Sequence, residues 1–161
     1  WPPGPGVRHV PLLIMPLAFL LIAGGVLVPN PSATGMERAL DQPEPARGVL
    51  RITRHPVMWG VGLWAAVHIV ANGDLASLLF FGGLLLTALG GAGHLDRRMA
   101  ATAGERWRRF AAVTSFIPFA AILTGRQRWV GAELLRPALW GLGVFALLLV
   151  LHVHLFGVRP Y

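Results

Sequence analysis

The 161-residue sequence contains no cysteine, which excludes disulfides, thiolate metal sites and a cysteine nucleophile. It contains no lysine either: all fourteen basic residues are arginine, a trait that points to a GC-rich genome more than to a mechanism. Charge of any kind is scarce. Only 13% of residues are charged, 55% are hydrophobic, and mean hydropathy is +0.61. An average soluble domain carries about 25% charged residues, so this composition belongs to a polytopic membrane protein. The net charge of +7 sits on arginines in short loops between apolar runs, without an aromatic–basic surface. Membrane topology accounts for that charge better than DNA or RNA binding does. The first residue is Trp1 rather than Met; the expectation is a processed or partial chain, with relevant residues upstream.

What the sequence does have is long apolar runs. Residues 10–28 carry no charge and suffice to span a ~30 Å hydrocarbon core. Pro11 and Pro16 lie inside this run, tolerable where neighbours satisfy the freed carbonyls. Pro29-Asn30-Pro31 stops it, and residues 32–50 read as a polar, Pro-rich loop. A second span starts at Pro56, whose missing N–H costs nothing in a first turn, and runs to about Ala71. Asn72-Gly73-Asp74 forms a tight turn, and Leu75 to Gly93 returns, closed by His94-Leu-Asp-Arg-Arg98. Residues 104–112 place Arg and Glu beside Trp107 and Phe110, as in a helix lying in the membrane interface. Residues 117–123 are too short to cross and read as a re-entrant or surface-dipping segment. Pro137 to about Phe156 is the last span. The expected fold is therefore an all-α membrane bundle of about four transmembrane helices, one interfacial helix and one re-entrant segment. Arg47/Arg51/Arg54, Arg97 to Arg109 and Arg126/Arg128/Arg136 all fall at one end. The positive-inside rule makes that end, with the 32–50 loop, cytoplasmic, in a bacterial inner membrane.

His68 is the residue with most chemical potential, because an imidazole inside a membrane helix is costly. Trp64, His68 and Asn72 are four apart and share one helical face. Such a histidine either hydrogen-bonds across a helix interface or ligates a metal or haem, neutral imidazole being suited to iron. His55 cannot join it on a straight helix. Thirteen residues separate the two rings by roughly 140° around the axis and ~19 Å along it. His152 lies about fifteen residues up the last span and His68 about twelve up its own, levels that differ by only ~5 Å. His152 is therefore the candidate partner within the chain, although it, His154 and His9 also suit positions that meet water.

At the arginine-rich end, Arg54-His55-Pro56 and the Glu105/Arg106/Arg108/Arg109 cluster make an anion site conceivable, with helix N–H groups assisting. Anchoring of the membrane boundary explains the same arginines. His94, Asp96 and Arg97 form a further polar group at the end of the third span.

Several ordered segments resemble the NnrU family. They are Ile52-Thr-Arg-His-Pro-x-Met-x-Gly60, Trp64-x-x-x-His68, Ala71-Asn-Gly-Asp-Leu-Ala-Ser-Leu-Leu79, Asp96-Arg-Arg98, Gly104-Glu-Arg, and Thr114-Ser-Phe-Ile-Pro-Phe-Ala-Ala-Ile-x-x-Gly-Arg-Gln127. The pattern is similar in particular to the branch that includes plant 15-cis-ζ-carotene isomerase. It is strong over residues 47–128 and looser in the flanking spans, so residues 1–161 are expected to form a single domain of this family lacking N-terminal helices. The resemblance implies a membrane protein that binds haem b between two histidines, His68 being one ligand. The family's other ligand belongs to an N-terminal helix that this chain is expected to lack. Isomerase members carry Cys three residues before the ligand, where this chain has Ala65, so a thiolate exchange is not implied here.

For that branch the implied reaction is a non-oxidative cis–trans isomerisation of a polyene reaching the site from membrane lipid. Bacterial members are associated instead with denitrification and nitric oxide metabolism, which implies an accessory haem protein. Arg54-His55-Pro56-x-x-x-Gly60 and Gly104-Glu-x-Trp are also similar to isoprenylcysteine and phospholipid methyltransferases. That resemblance implies S-adenosylmethionine near Arg54, His55, Glu105 and Arg106, with Met58 standing where those enzymes usually have Tyr.

Overall fold

The computed structural model describes Gly4 and residues 7–160, the side chain of Arg8 excepted, and no strand occurs among them. Six α-helices follow one another: α1 Val10–Leu27, α2 Pro56–Asn72, α3 Leu75–Thr102, α4 Glu105–Val113, α5 Ala120–Leu123 and α6 Leu135–Phe156. Short 3-10 turns at Glu37–Asp41, Gly48–Arg51 and Gly131–Leu134 bridge them at the arginine-rich end.

Three stretches, Val10–Leu27, Leu75–Thr102 and Gly131–Phe156, are long and apolar enough to cross a membrane. The fourth expected span, α2, has 17 residues, a rise of about 26 Å, slightly short of the ~30 Å hydrocarbon thickness. The fold is thus a helical membrane bundle in which α2 is the short member. Helix α3 departs from expectation in the other direction. It does not stop at Gly93 but continues for nine residues, because Leu95 and Met99 keep an apolar face that packs on Trp107 and Phe110.

The helix ends obey local chemistry. Pro11 sits in the first turn of α1, where its missing donor is harmless. Beyond the last turn, the Asn30 amide donates to the Gly25 carbonyl at 3.4 Å while its oxygen accepts from Ser32 N–H at 2.9 Å. Gly73 closes α2 in the left-handed conformation (φ 69°), its N–H returning to the Ile69 carbonyl. Asp74 then caps α3, accepting from the Ser77 N–H at 2.8 Å and the Ser77 hydroxyl at 2.7 Å.

The helices pack in the order α3–α2–α1–α6. Two glycines set how closely α1 is held. A Cβ on Gly60 of α2 would stand 2.7 Å from the Ala18 carbonyl oxygen, and one on Gly141 of α6 would stand 2.7 Å from the Phe19 carbonyl oxygen. Helix α1 is therefore gripped on both sides by backbone-to-backbone approach, the way apolar helices associate where lipid competes equally for leucine. The outer helices present Leu79 and Leu86 of α3 and Leu139 and Val150 of α6, all exposed.

The 32–50 segment reads as polar, yet it buries Ala39, Leu40, Ala46, Val49 and Leu50. Leu40, Ala46 and Leu50 join Met99, Trp107 and Phe110 in one cluster under α4. Full burial of Trp107 and Phe110 contributes about 1.5–3 kcal/mol each, so α4 is pinned by its apolar face, with its arginines outward. Residues 117–123, expected to be re-entrant or surface-dipping, contain the single turn of α5 and are tied down at the same end. Phe119 N–H donates to the Ile52 carbonyl at 2.8 Å, and Ala121 N–H donates to the Ser115 hydroxyl at 3.0 Å.

Candidate functional site

Two groups of candidate residues exist, and they are separate. The first surrounds His68 in α2. Its Nδ1 is 2.7 Å from the Trp64 carbonyl oxygen, one turn back. A carbonyl oxygen only accepts, so Nδ1 carries the hydrogen and, in the neutral ring, Nε2 keeps its lone pair. The half-buried imidazole forms a three-ring cluster with Trp64 and Phe81, whose centroids each lie 4.9 Å from it and 5.1 Å from one another. Phe81 in turn meets exposed Phe80 at 5.1 Å. Asn72 shares the helical face but is exposed at the end of α2, without a contact to this group.

His152 belongs to α6. Its own Nδ1 is held 2.9 Å from the Val158 carbonyl beyond the helix end, and its ring lies 4.8 Å from Phe156. His9, His94 and His154 are exposed. Among the described residues no cluster of three or more His, Asp or Glu side chains suits a metal ion. A planar macrocycle held by one or two axial imidazoles needs no such cluster. One imidazole fits that demand and would hold the group: His68, whose Nε2 has no hydrogen-bond partner among the described residues and which packs with Trp64 and Phe81.

The second group lies at the arginine-rich end and centres on a residue of minor standing in the sequence pattern. Asp96, near the end of α3, accepts from Arg54 Nε at 2.9 Å and Arg54 Nη2 at 2.5 Å, and pairs with His55 Nε2 at 2.6 Å. It does not join His94 or Arg97; residues one and two apart point to different sides of a helix, and His94 is exposed. The His55 side chain is fully buried, between Phe116 and Trp107. Its Nδ1 and the Trp59 Nε1, one turn along α2, are buried without a hydrogen-bond partner among the described residues.

Glu105 and Arg106 are not part of this arrangement. Glu105 pairs with Arg108 at 2.8 Å and Arg109 at 3.4 Å, while Arg106 reaches Asp41. The hydrogen bond from Arg108 depresses the Glu105 carboxyl below its ordinary range.

Arg51, by sequence one of the boundary arginines, is a buried ion-pair centre. Its side chain is 4% exposed and fork-bonded to both oxygens of Glu133, at 2.8 and 2.9 Å, with Gln127 at 2.6 Å and Glu44 at 2.9 Å. Glu133 also accepts from Gly48 N–H at 2.6 Å. The hydrogen bond to Glu133 raises the guanidinium further above its already high range, so the pair stays ionised. Beside it, residues 52–54 and 115–119 are stitched together. Thr53 Oγ1 donates to the Phe116 carbonyl at 2.7 Å, and Arg54 N–H donates to the Ser115 carbonyl at 3.0 Å. The two sequence segments richest in the family pattern thus meet in space.

No solved structure matches this chain. Among characterised proteins, chloroplastic 15-cis-zeta-carotene isomerase of Zea mays is 40% identical over 81 residues. That of Arabidopsis thaliana is 42% identical over 80. Each match covers half of this chain and 22% of the relative's own length. The family model described as NnrU protein matches residues 1–160, and the chain therefore belongs to the NnrU family.

Proposed function

We propose that this chain contributes the core of a haem b-dependent cis–trans isomerase acting on a carotenoid-type polyene, in which His68 would hold the haem iron. The observation that carries the proposal is the bond from His68 Nδ1 to the Trp64 carbonyl, which leaves Nε2 as the ligating atom. Bound haem would supply iron able to interact with the polyene and lower the barrier to rotation about a cis double bond. The chain's own part is positional. The Trp64 carbonyl fixes the tautomer of His68, and the Trp64 and Phe81 rings pack against the imidazole. The aromatic series His68–Phe81–Phe80 leads from the half-buried imidazole to the lipid-exposed surface of α3. A long apolar substrate can reach the site along it without passing a charge. His152 is the in-chain candidate for a second histidine that would hold the group, once its ring leaves the Val158 carbonyl. Likeness to the two plant isomerases over half the chain supports the same reading.

The chain is further proposed to form a single domain of this family, set in a bacterial inner membrane with its arginine-rich end cytoplasmic. The absence of cysteine makes this directly measurable: thiol labelling of Gln42→Cys from the cytoplasm and of Asn72→Cys from outside is expected, and the reverse pattern overturns the orientation.

Function is tested by visible spectra of the full-length protein, oxidised and dithionite-reduced, and by carotenoid chromatography after co-expression with a desaturase. A low-spin b-type spectrum that disappears in His68→Ala but survives altered in His152→Ala is expected, with conversion of the cis polyene. Haem without conversion leaves a haem protein of nitrogen-oxide metabolism, and no haem at all overturns both readings. Arg54, His55, Glu105 and Arg106 do not gather around one cavity, so S-adenosylmethionine is not proposed.

A further inference from the structure

We propose that the cleft between Arg54 and Arg126 binds a phosphate group, carried by an anionic phospholipid or free in solution. The cleft, of about 380 Å³, is lined by Arg54, Ala111, Thr114, Ser115, Phe116, Ile117, Ala120 and Arg126. Its charge is unbalanced. Two arginines line it, and the one carboxylate bonded to either guanidinium is Asp96, which Arg54 shares with His55. Arg126 has no carboxylate partner among the described residues. It is instead held in place by the backbone: its Nη1 donates to the Thr114 carbonyl at 3.0 Å and the Ala112 carbonyl at 3.2 Å, and its Nε donates to the Thr124 hydroxyl at 3.1 Å. Carbonyl partners orient a guanidinium without neutralising it, so its charge is left to an external anion. Helix α2 starts two residues beyond Arg54 and adds its partial positive charge to the same wall.

The surroundings decide which carriers fit. The cleft lies at the arginine-rich end beside the start of α2, where a bilayer spanned by the apolar helices would place its headgroups. Ile117 on its rim and Leu123, one turn from lining residue Ala120, are 61% and 84% exposed. Exposed aliphatic side chains beside a cationic cleft match an acyl chain beside its phosphate. The Thr114 hydroxyl donates to the Phe110 carbonyl, whereas the Ser115 hydroxyl accepts from the Ala121 N–H and keeps its own hydrogen as an uncharged donor. Recognition of charge therefore rests on the two guanidiniums, and a net negative headgroup is favoured over a zwitterionic one.

The test uses purified protein in non-ionic detergent, titrated with dioleoylphosphatidylglycerol or dioleoylphosphatidylcholine and read by native mass spectrometry. Sodium phosphate is then added as competitor. One phosphatidylglycerol per chain is expected, retained in preference to phosphatidylcholine. Arg126→Gln is expected to weaken retention about tenfold or more, the loss of a charge-assisted contact. Ile117→Glu alters an exposed side chain, spares the fold and places a carboxylate at the rim; it is expected to weaken retention similarly. Arg136→Gln, on α6 away from the cleft, removes the same charge and is expected to change nothing. Displacement by millimolar phosphate assigns recognition to the phosphate group alone, and resistance to it assigns the whole lipid. Retention unaffected by Arg126→Gln and Ile117→Glu, or equally reduced by Arg136→Gln, overturns the proposal, as does failure of the wild-type protein to retain either ligand.

Discussion

His55 Nε2 lies 2.6 Å from Asp96 Oδ1, joining the first residue before α2 to the far end of α3 across 41 positions of sequence. The same carboxylate holds Arg54 by two bonds, so a single acidic side chain compensates two cationic or cation-capable groups at the helix boundary. Removing it should leave an arginine that is 14% exposed without its counter-charge. Asp96→Asn is expected to cost about 3 kcal/mol of unfolding free energy, the low end for a broken buried pair because the carboxylate keeps some contact with solvent. Thermal unfolding in detergent measures it; a cost below about 0.5 kcal/mol, the size of a surface pair, contradicts the assigned role.

Arg51 makes a similar case at the other side of the same end. Arg51→Met is expected to cost about 3 kcal/mol, since Glu133 loses its fork-bonded partner. The double variant Arg51→Met, Glu133→Leu should recover much of that loss, because an apolar pair leaves no charge uncompensated. Non-additivity in this cycle is the diagnostic measurement.

The glycines divide by what stands opposite them. Gly60→Ala drives a methyl to 2.7 Å from the Ala18 carbonyl and is expected to cost about 1–3 kcal/mol as α1 and α2 separate. Gly90→Ala on α3 meets nothing within 4 Å and should be neutral, or stabilise by up to about 1 kcal/mol through helix propensity. Equal effects of the two substitutions on thermal midpoint would refute the packing order.

Asp74 offers a pH test outside the spans. The hydrogen bonds from Ser77 depress its carboxyl below the usual range. Its native pKa is therefore the lower one, so its contribution is fully present above the ordinary aspartate range and is lost as pH falls through the depressed value. In Asp74→Ala this part of the acid dependence of the thermal midpoint should vanish; an unchanged profile speaks against the cap.

The apolar runs made the main helices legible, since a membrane span announces itself by length and composition alone. Turn chemistry at Pro29–Pro31 and Asn72–Asp74 was legible for the same local reason. What stayed hidden depends on which distant residues meet. Asp96 sat in a polar run beside His94 and Arg97, and only the antiparallel packing of α2 on α3 turns it toward Arg54 and His55. Arg51 looked like one more boundary arginine, because its partner Glu133 lies 82 residues away. The apolar half of residues 32–50 was masked by prolines and acids, and its burial follows from α4 lying above it. His68 was found from sequence as an ionisable group in an apolar run. Its hydrogen-bonded tautomer was not, because that depends on a side-chain rotamer.

The stitching of residues 52–54 to 115–119 also has a bearing on how the protein is made. The partners of Thr53 and Arg54 are synthesised more than sixty residues after them. Helix α2 can therefore enter the membrane early, but its starting end stays unfinished until α3 and α4 have been made and the following turn emerges. Assembly at the arginine-rich end is in this sense a closing step: loops laid down separately become one lid only after most of the bundle is in place.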